Sequence, residues 1–142
     1  MSTLNAAINA SASALTAERT RIEVAVSNLA NAESTRGPDG TPYRRRDVVL
    51  VADQQNAFET ALGEAGAVGV KVASVVEDRS PFKKRYDPSH PDADAEGFVS
   101  MPNVDTPEEM VNMLSASRAY QANLTAIGLI RDLVARALEL GK

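Results

Sequence analysis

The residues best suited to chemistry lie in one short stretch between Asp87 and Gly97. His90 is the only histidine, and Asp87, Asp92 and Asp94 surround it. An imidazole among carboxylates can hold a metal ion or move protons, but one histidine in a loop lacks the second imidazole common in zinc sites. We therefore expect His90 to form a structural hydrogen bond within the loop, and keep a metal-binding or enzymatic site as the alternative.

The same stretch is an incomplete match to a calcium-binding loop. Asp92, Asp94, Glu96 and Gly97 follow the spacing of such a loop, but its twelfth position is Asn103 instead of a bidentate glutamate. No nucleophile elbow, P-loop or dinucleotide fingerprint occurs, and the chain has no cysteine. We predict no catalytic residue, no cofactor and no metal.

Three adjacent arginines, Arg44, Arg45 and Arg46, stand at the start of a predicted strand. Neighbouring side chains on a strand point to opposite faces, so the three cannot form one surface stripe. The sequence favours a solvated or partner-facing patch over a phosphate site.

Composition narrows the class of protein further. The 142 residues carry 15 basic and 19 acidic side chains, for a net charge of −4 that is spread fairly evenly. This is not the electrostatic footprint of nucleic-acid binding. Apolar runs are too short for a membrane span, so no membrane insertion is expected. Hydrophobic residues make up 44% and aromatic residues 4%, which predicts an aliphatic, alanine-rich and mainly helical core.

The C-terminal third predicts one long helix. Thr106 can cap it, Pro107 suits its first turn, and Glu109 fits a capping box. Gly141 is the expected stop. Such a helix of about 35 residues would be roughly 50 Å long. An apolar seam repeats every seven residues at Met113, Tyr120, Ile127 and Val134, with Met110, Ser117, Leu124, Arg131 and Leu138 as the interleaved row.

The N-terminus predicts a second long helix that ends near Ala32. Its weaker seam consists of Ile8, Leu15, Ile22 and Leu29, also seven residues apart. Between the helices, the pattern predicts these segments: a strand over 43–51, a short helix over 53–62, a flexible loop over 63–69, a strand over 70–77, an extended loop over 80–94 and a short strand over 98–101.

Together these elements predict a mainly α fold with a small β insert. The long N- and C-terminal helices pair as a coiled coil, and the β-rich segment lies between them. We divide the chain into an N-terminal assembly helix (1–34), a β-rich insert with loops (35–103) and a C-terminal assembly helix (104–142).

Each terminal helix has more apolar surface than one partner helix can cover, which predicts assembly with further copies or partners. Polar residues set among that surface, including Arg118, are candidates for fixing register. The predicted assembly interface comprises Ile8, Leu15, Ile22, Asn28, Leu29, Asn31, Met110, Met113, Tyr120, Gln121, Asn123, Leu124, Ile127, Val134 and Leu138.

Two segments resemble the terminal signatures of flagellar axial proteins of the rod and hook. They are Ser27–Ala32 (SNLANA), followed closely by Thr35, and Met110–Leu124 (MVNMLSASRAYQANL). The stretches Tyr86–Ala93 (YDPSHPDA), Gly97–Val99 and Pro102–Thr106 are similar to the basal-body rod proteins of this family. The resemblance covers nearly the whole chain in order.

The resemblance implies a structural subunit of the bacterial flagellar proximal rod, which self-assembles into a helical axial tube that transmits torque. Its partners would be other rod proteins, the ring–rod junction protein and copies of itself. It would pass through the flagellar type III export apparatus, without a cleaved signal peptide, to the periplasmic rod. A two-helix adaptor or export chaperone of the flagellar system is the alternative. Since isolated helices are marginal in water, we expect the termini to be largely disordered before assembly.

Overall fold

Among the described residues, two long helices enclose four short strands in chain order, which confirms the mainly α fold with a small β insert. The computed structural model describes residues 2–53 and 67–140. The elements are α1 (Ser2–Ala30), β1 (Arg46–Asp53), β2 (Gly69–Glu77), β3 (Lys83–Tyr86), β4 (Phe98–Met101) and α2 (Thr106–Leu140). The first residue of the predicted helix over 53–62 is instead the end of β1, and the rest of that helix, most of the predicted loop over 63–69 and the expected stop at Gly141 lie outside the described residues.

The strands form two separate two-stranded sheets. β1 pairs with β2. Arg46 at the start of β1 forms a salt bridge with Glu77 at the end of β2 (3.7 Å), and Asp53 at the end of β1 forms one with Lys71 near the start of β2 (3.5 Å). These pairings require the two strands to run antiparallel. β3 pairs with β4 in antiparallel register, with Lys83 opposite Met101.

The predicted strand over 70–77 is confirmed within one residue, and the strand over 98–101 is confirmed. The strand expected over 43–51 begins later, at Arg46, and continues to Asp53. The extended loop over 80–94 is wrong in part because β3 lies within it. All four β3 side chains are exposed, so this strand has no buried alternation for a sequence pattern to reveal.

The chain divides into two compact units, each of which contains a piece of both long helices. The first unit comprises the described residues of 1–20, 49–74 and 115–142. The second unit comprises 21–48 and 75–114. In the second unit the end of α1 therefore clusters with the start of α2, and in the first unit the start of α1 clusters with the end of α2.

The first unit buries few side chains completely. Among its described residues, Ala17 and Ala116 are the buried ones. Two alanines leave little side chain between helix axes, which suits a close approach. Ser13 ties β2 to α1 here, because its Oγ accepts the backbone N–H of Val70 at 3.0 Å.

The second unit has a more extensive core at the β4–α2 connection. Val99 is fully buried, and Met101 and Val104, which follow it closely in the sequence, are also buried. Gly97 precedes this segment with a φ of +83°, which allows the chain to enter β4 tightly. Asn103 is also buried and donates a hydrogen bond to the carbonyl of Asp78, just after β2.

Within the single chain, one row of the seam predicted on α2 is half-buried and most of the other row is exposed. Met113, Tyr120, Ile127 and Val134 are all half-buried, as expected. The predicted companions Met110, Leu124, Arg131 and Leu138 are exposed, and Ser117 is half-buried. The companion row that is buried or half-buried consists of Glu109, Ala116, Asn123 and Ile130. On α1, Ile8, Leu15, Ile22 and Leu29 are half-buried, as the seam predicts.

The start of α2 differs from the predicted capping box. Asp105 provides the cap: its Oδ1 accepts the N–H of Glu108 at 3.3 Å, and its carbonyl accepts that of Glu109 at 3.0 Å. Thr106 is already within the helix. Glu109 turns inward and is 2% exposed, so the predicted reciprocal cap by its carboxylate is wrong. Within the described ranges, neither helix has an apolar stretch long enough to cross a bilayer.

Candidate assembly surface

Large apolar side chains are exposed along α2 in both units. In the first unit, Leu124, Leu129, Leu133 and Leu138 are between 56% and 64% exposed. In the second, Met110, Val111 and Leu114 are between 50% and 65% exposed. Exposed apolar side chains repeated in this way on a helix are typical of a surface that another chain covers. Of the predicted interface residues, Met110, Gln121, Leu124 and Leu138 are exposed.

The other interface residues whose side chains are apolar or aromatic are half-buried within the chain. They are Ile8, Leu15, Ile22, Leu29, Met113, Tyr120, Ile127 and Val134. Half-burial leaves part of each side chain available to a second partner. Their place in a contact between subunits stays a prediction.

The predicted asparagines bond within the chain. Asn123 Nδ2 donates to the Ala119 carbonyl at 2.9 Å, and Asn31 Nδ2 donates to the Ser27 carbonyl at 2.8 Å, both one helical turn back. Asn28 is fully buried. A role for these residues in register between subunits stays a prediction.

Asn28 is the centre of a buried polar cluster in the second unit, which links α1, β1 and α2. Its Nδ2 donates to the Arg46 carbonyl at 2.8 Å and to Oε2 of Glu109 at 3.0 Å. Its Oδ1 accepts the Tyr43 hydroxyl at 3.0 Å and the Arg46 N–H at 2.9 Å. All the hydrogen-bonding capacity of the amide is used, which is what burial of a polar group requires.

Glu109 and Arg45 form the charged part of the cluster. Arg45 Nε donates to Oε1 of Glu109 at 2.6 Å, and the arginine side chain is only 14% exposed. Burial alone lowers the pKa of Arg45, but the hydrogen bond and negative charge of Glu109, helped by Asp47 and Glu108, outweigh it and raise that pKa. The guanidinium therefore stays charged, and the carboxylate has a fixed partner.

Asn103 extends the cluster to the chain that follows β2. Its Oδ1 accepts the Arg45 N–H at 2.8 Å, and its Nδ2 donates to the Asp78 carbonyl at 3.1 Å and to Ser80 Oγ at 2.8 Å. Hydrogen bonds from the Ser80 backbone and side chain lower the pKa of Asp78, and the nearby arginines Arg45 and Arg44 add to the effect.

Arg44 and Arg45 contact other parts of the same chain, which corrects the predicted solvated or partner-facing patch at these two positions. Arg45 is the largely buried partner of Glu109. Arg44 lies over the Phe82 ring, 4.3 Å from its centroid, in a cation–π contact. Arg46 alone is exposed, 5.8 Å from the ring centroid of Tyr43.

The loop with the histidine is held by hydrogen bonds of its own. His90 Nδ1 accepts the Asp92 N–H at 3.1 Å, which confirms the structural hydrogen bond expected for it. Asp92 in turn accepts the Thr35 hydroxyl at 2.8 Å and pairs with Arg36 at 2.9 Å. Asp94 Oδ1 accepts two backbone N–H groups. These two carboxylates of the incomplete calcium loop are thus engaged, and within 2–53 and 67–140 no cluster of three metal-ligating side chains occurs.

Comparison with known proteins identifies the family. Residues 8–38 match a family model described as flagella basal body rod protein. Residues 95–140 match one described as the C-terminal part of the flagellar basal body rod FlgEFG protein. The flagellar basal-body rod protein FlgC of Escherichia coli O157:H7 is 52% identical over 130 residues, which cover 92% of each chain. FlgC of Salmonella typhimurium is 50% identical over 130 residues, again 92% of each chain. FlgC of Bacillus subtilis is 45% identical over 145 residues, 95% of this chain and 96% of that protein.

The chain belongs to the FlgC family of flagellar basal-body rod proteins. In this FlgC-family chain the buried cluster links the two matched segments, since Asn28 lies in 8–38 and Glu109 in 95–140. Arg45 lies between the segments and completes the cluster. Sequence reasoning found Asn28 as a candidate for fixing register, but assigned Glu109 to a cap and Arg45 to the surface. Arg45 and Glu109 are 64 residues apart in the sequence, so no local sequence pattern could predict that they pair.

Proposed function

We propose that this chain is a structural subunit of the flagellar proximal rod, without catalytic activity. It assembles with copies of itself and with other rod proteins into a helical axial tube that transmits torque. The exposed apolar surface of α2, with Leu124, Leu129, Leu133 and Leu138 all more than half exposed, is the observation that supports this most directly. Contacts between unlike faces that do not close into a ring generate a helical array.

Burial of apolar surface supplies the driving force for assembly. Each of these leucines, already partly covered, contributes about 1–2 kcal/mol when it becomes fully covered, before the costs of ordering are subtracted. In this proposal 1–34 and 104–142 are the assembly segments, 35–103 is the insert, and the predicted interface residues other than the buried Asn28 face neighbouring subunits. Further partners are the ring–rod junction protein and, during secretion, the type III export apparatus.

Cell fractionation tests the proposal. A tagged chain expressed in a flagellated bacterium made non-motile by deletion of its own copy should co-purify with detergent-extracted basal bodies and restore swimming. A mutant that lacks the flagellar export ATPase is the control, in which the chain should remain in the cytoplasm. Recovery from the cytoplasm of the export-competent strain, with none in basal bodies, would replace the rod subunit with the adaptor or chaperone alternative.

A further inference from the structure

Burial is distributed unequally between the two units. Eleven described residues are buried, and nine of them lie in the second unit. The nine include Val99, the polar Asn28 and the charged Glu109. The second unit therefore has an apolar core and a satisfied polar cluster of its own.

The first unit has the opposite character. Its buried described residues are Ala17 and Ala116, which offer little apolar area. Leu129 and Leu133 are both more than half exposed on the same unit. Gly128, with open space where a Cβ would lie, weakens the helix locally. A long helix with so little buried surface gains most of its stability from whatever covers it.

The boundary between the units crosses both helices. It falls between residues 20 and 21 of α1 and between residues 114 and 115 of α2. Asn28 and Glu109 lie on the second-unit side of it, and Arg45 joins them from the chain that leads into β1. Loss of any one partner leaves a buried amide, carboxylate or guanidinium without its bond, which strongly opposes local opening.

We infer that Asn28, Arg45 and Glu109 act as a folding lock. The lock keeps residues 21–30 and 106–114 helical in the unassembled subunit, while 2–20 and 115–140 become stable helix only when neighbouring subunits cover them. The disorder expected for the termini before assembly is thereby confined to the parts of each helix beyond the lock, 2–20 and 115–140. Asn28, the fully buried residue of the SNLANA motif, thereby serves folding within the subunit. The inference rests on the proposed function for the identity of the covering partner.

Hydrogen exchange read by mass spectrometry tests the lock in the full-length chain, at a concentration where sedimentation shows a monomer. Peptides from 21–30 and 98–114 should be protected by a factor of about 100 or more, and peptides from 2–20 and 121–140 by less than about 10. Equal protection along both helices would overturn the inference. So would an absence of protection at 21–30.

Substitutions then test whether the cluster is the cause. In Asn28→Asp a carboxylate oxygen would replace Nδ2, which in the wild type donates to Oε2 of Glu109 at 3.0 Å and to the Arg46 carbonyl. The new oxygen would repel both of these acceptors. We expect protection of 21–30 and 106–114 to fall at least about tenfold. Asn123→Asp is the matched control, since Asn123 donates only to a carbonyl of its own helix among the contacts described, and should leave those peptides unchanged.

The double variant Asn28→Asp with Glu109→Gln exchanges the two groups across the same contact. The introduced glutamine amide would donate to the new carboxylate on α1, and its oxygen would still accept from Arg45. Protection should therefore recover in part relative to the single Asn28→Asp variant. No recovery, or an equal effect of Asn123→Asp, would show that the cluster is not the lock. These outcomes are separate from the rod assignment, since a wild-type chain that lacks the lock but co-purifies with basal bodies would still be a rod subunit.

Discussion

Gly97, just before β4, lies close to the end of β3 and to the residues that follow it. Gly97 has a φ of +83°, and a Cβ there would lie 2.9 Å from Cε2 of Tyr86 and 3.2 Å from Cβ of Pro88. The Tyr86 ring is exposed and can turn aside, but the proline ring is fixed by its own geometry. Backbone conformation and space therefore both require glycine at this position.

Gly97→Ala should destabilise the fold more than Gly40→Ala. Gly40 has a similar φ of +73°, but no atom lies within 4 Å of the place that a Cβ would occupy. Alanine there strains the backbone alone, by about 1–2 kcal/mol. At Gly97 the contact with Pro88 adds the cost of overpacking, about 1–3 kcal/mol. Urea unfolding monitored by circular dichroism measures both, and equal losses would contradict the crowding argument.

At the scale of elements, the long helices were predictable and the details of their ends were not. Heptad spacing at Met113, Tyr120 and Ile127 predicts a helix and one of its buried rows because periodicity is a local property. The cap was misplaced by one residue, since Asp105 and Thr106 are both good capping residues and only the three-dimensional contacts distinguish them. β3 escaped prediction because a short, fully exposed strand has no amphipathic signature.

The cap of α2 predicts how this element responds to acid. The hydrogen bond from the backbone N–H of Glu108 is the main cause that holds the pKa of Asp105 below its usual range. The hydrogen bond and positive charge of Lys83 lower the pKa further. A lowered folded-state pKa means that the stabilisation is fully present above the unfolded-state pKa of about 4 and is lost as the pH falls through the folded-state pKa. Asp105→Asn should keep the cap at neutral pH and remove this part of the acid sensitivity.

Thermal unfolding of the wild type, Asp105→Asn and Asp105→Ala between about pH 6 and pH 2 checks the sign of the effect. At the upper end of this pH range, Asp105→Ala should have a lower melting temperature than both the wild type and Asp105→Asn. The wild type should lose more of its melting temperature on acidification than Asp105→Asn. A wild type and an Asp105→Asn variant with parallel pH profiles would rule out the Asp105 contribution.

Gly128 gives a second prediction for α2, in the part beyond the lock. No atom lies within 4 Å of the Cβ position at this exposed residue, so Gly128→Ala meets no clash and should favour the helix by about 1 kcal/mol. The helicity of the dilute monomer should rise by circular dichroism. Ala122→Gly, at another exposed position of the same helix, should lower it. Unchanged helicity in both variants would contradict a marginal helix here, since propensity changes the helix content only of a segment that is partly helical.

At the scale of the whole molecule, folding within the subunit and association between subunits should depend on different residues. Leu133 is 61% exposed and Ala135 is also exposed on the same helix, so neither contributes much to the core of the isolated chain. In a rod the exposed part of the leucine would be covered, and its removal would forfeit about 1–2 kcal/mol of transfer free energy. Leu133→Gln keeps helix propensity nearly constant and removes only the apolar contact.

Leu133→Gln should therefore leave the free energy of unfolding of the monomer within about 0.5 kcal/mol of wild type. It should weaken self-association, or incorporation into basal bodies, by about tenfold or more. Sedimentation over a concentration series measures association, and Ala135→Gln, which also introduces glutamine at an exposed site, should have a much smaller effect. If Leu133→Gln instead destabilised the monomer and left association unchanged, the leucine surface would belong to the fold of the subunit, and the driving force for assembly would have to be sought elsewhere on the chain.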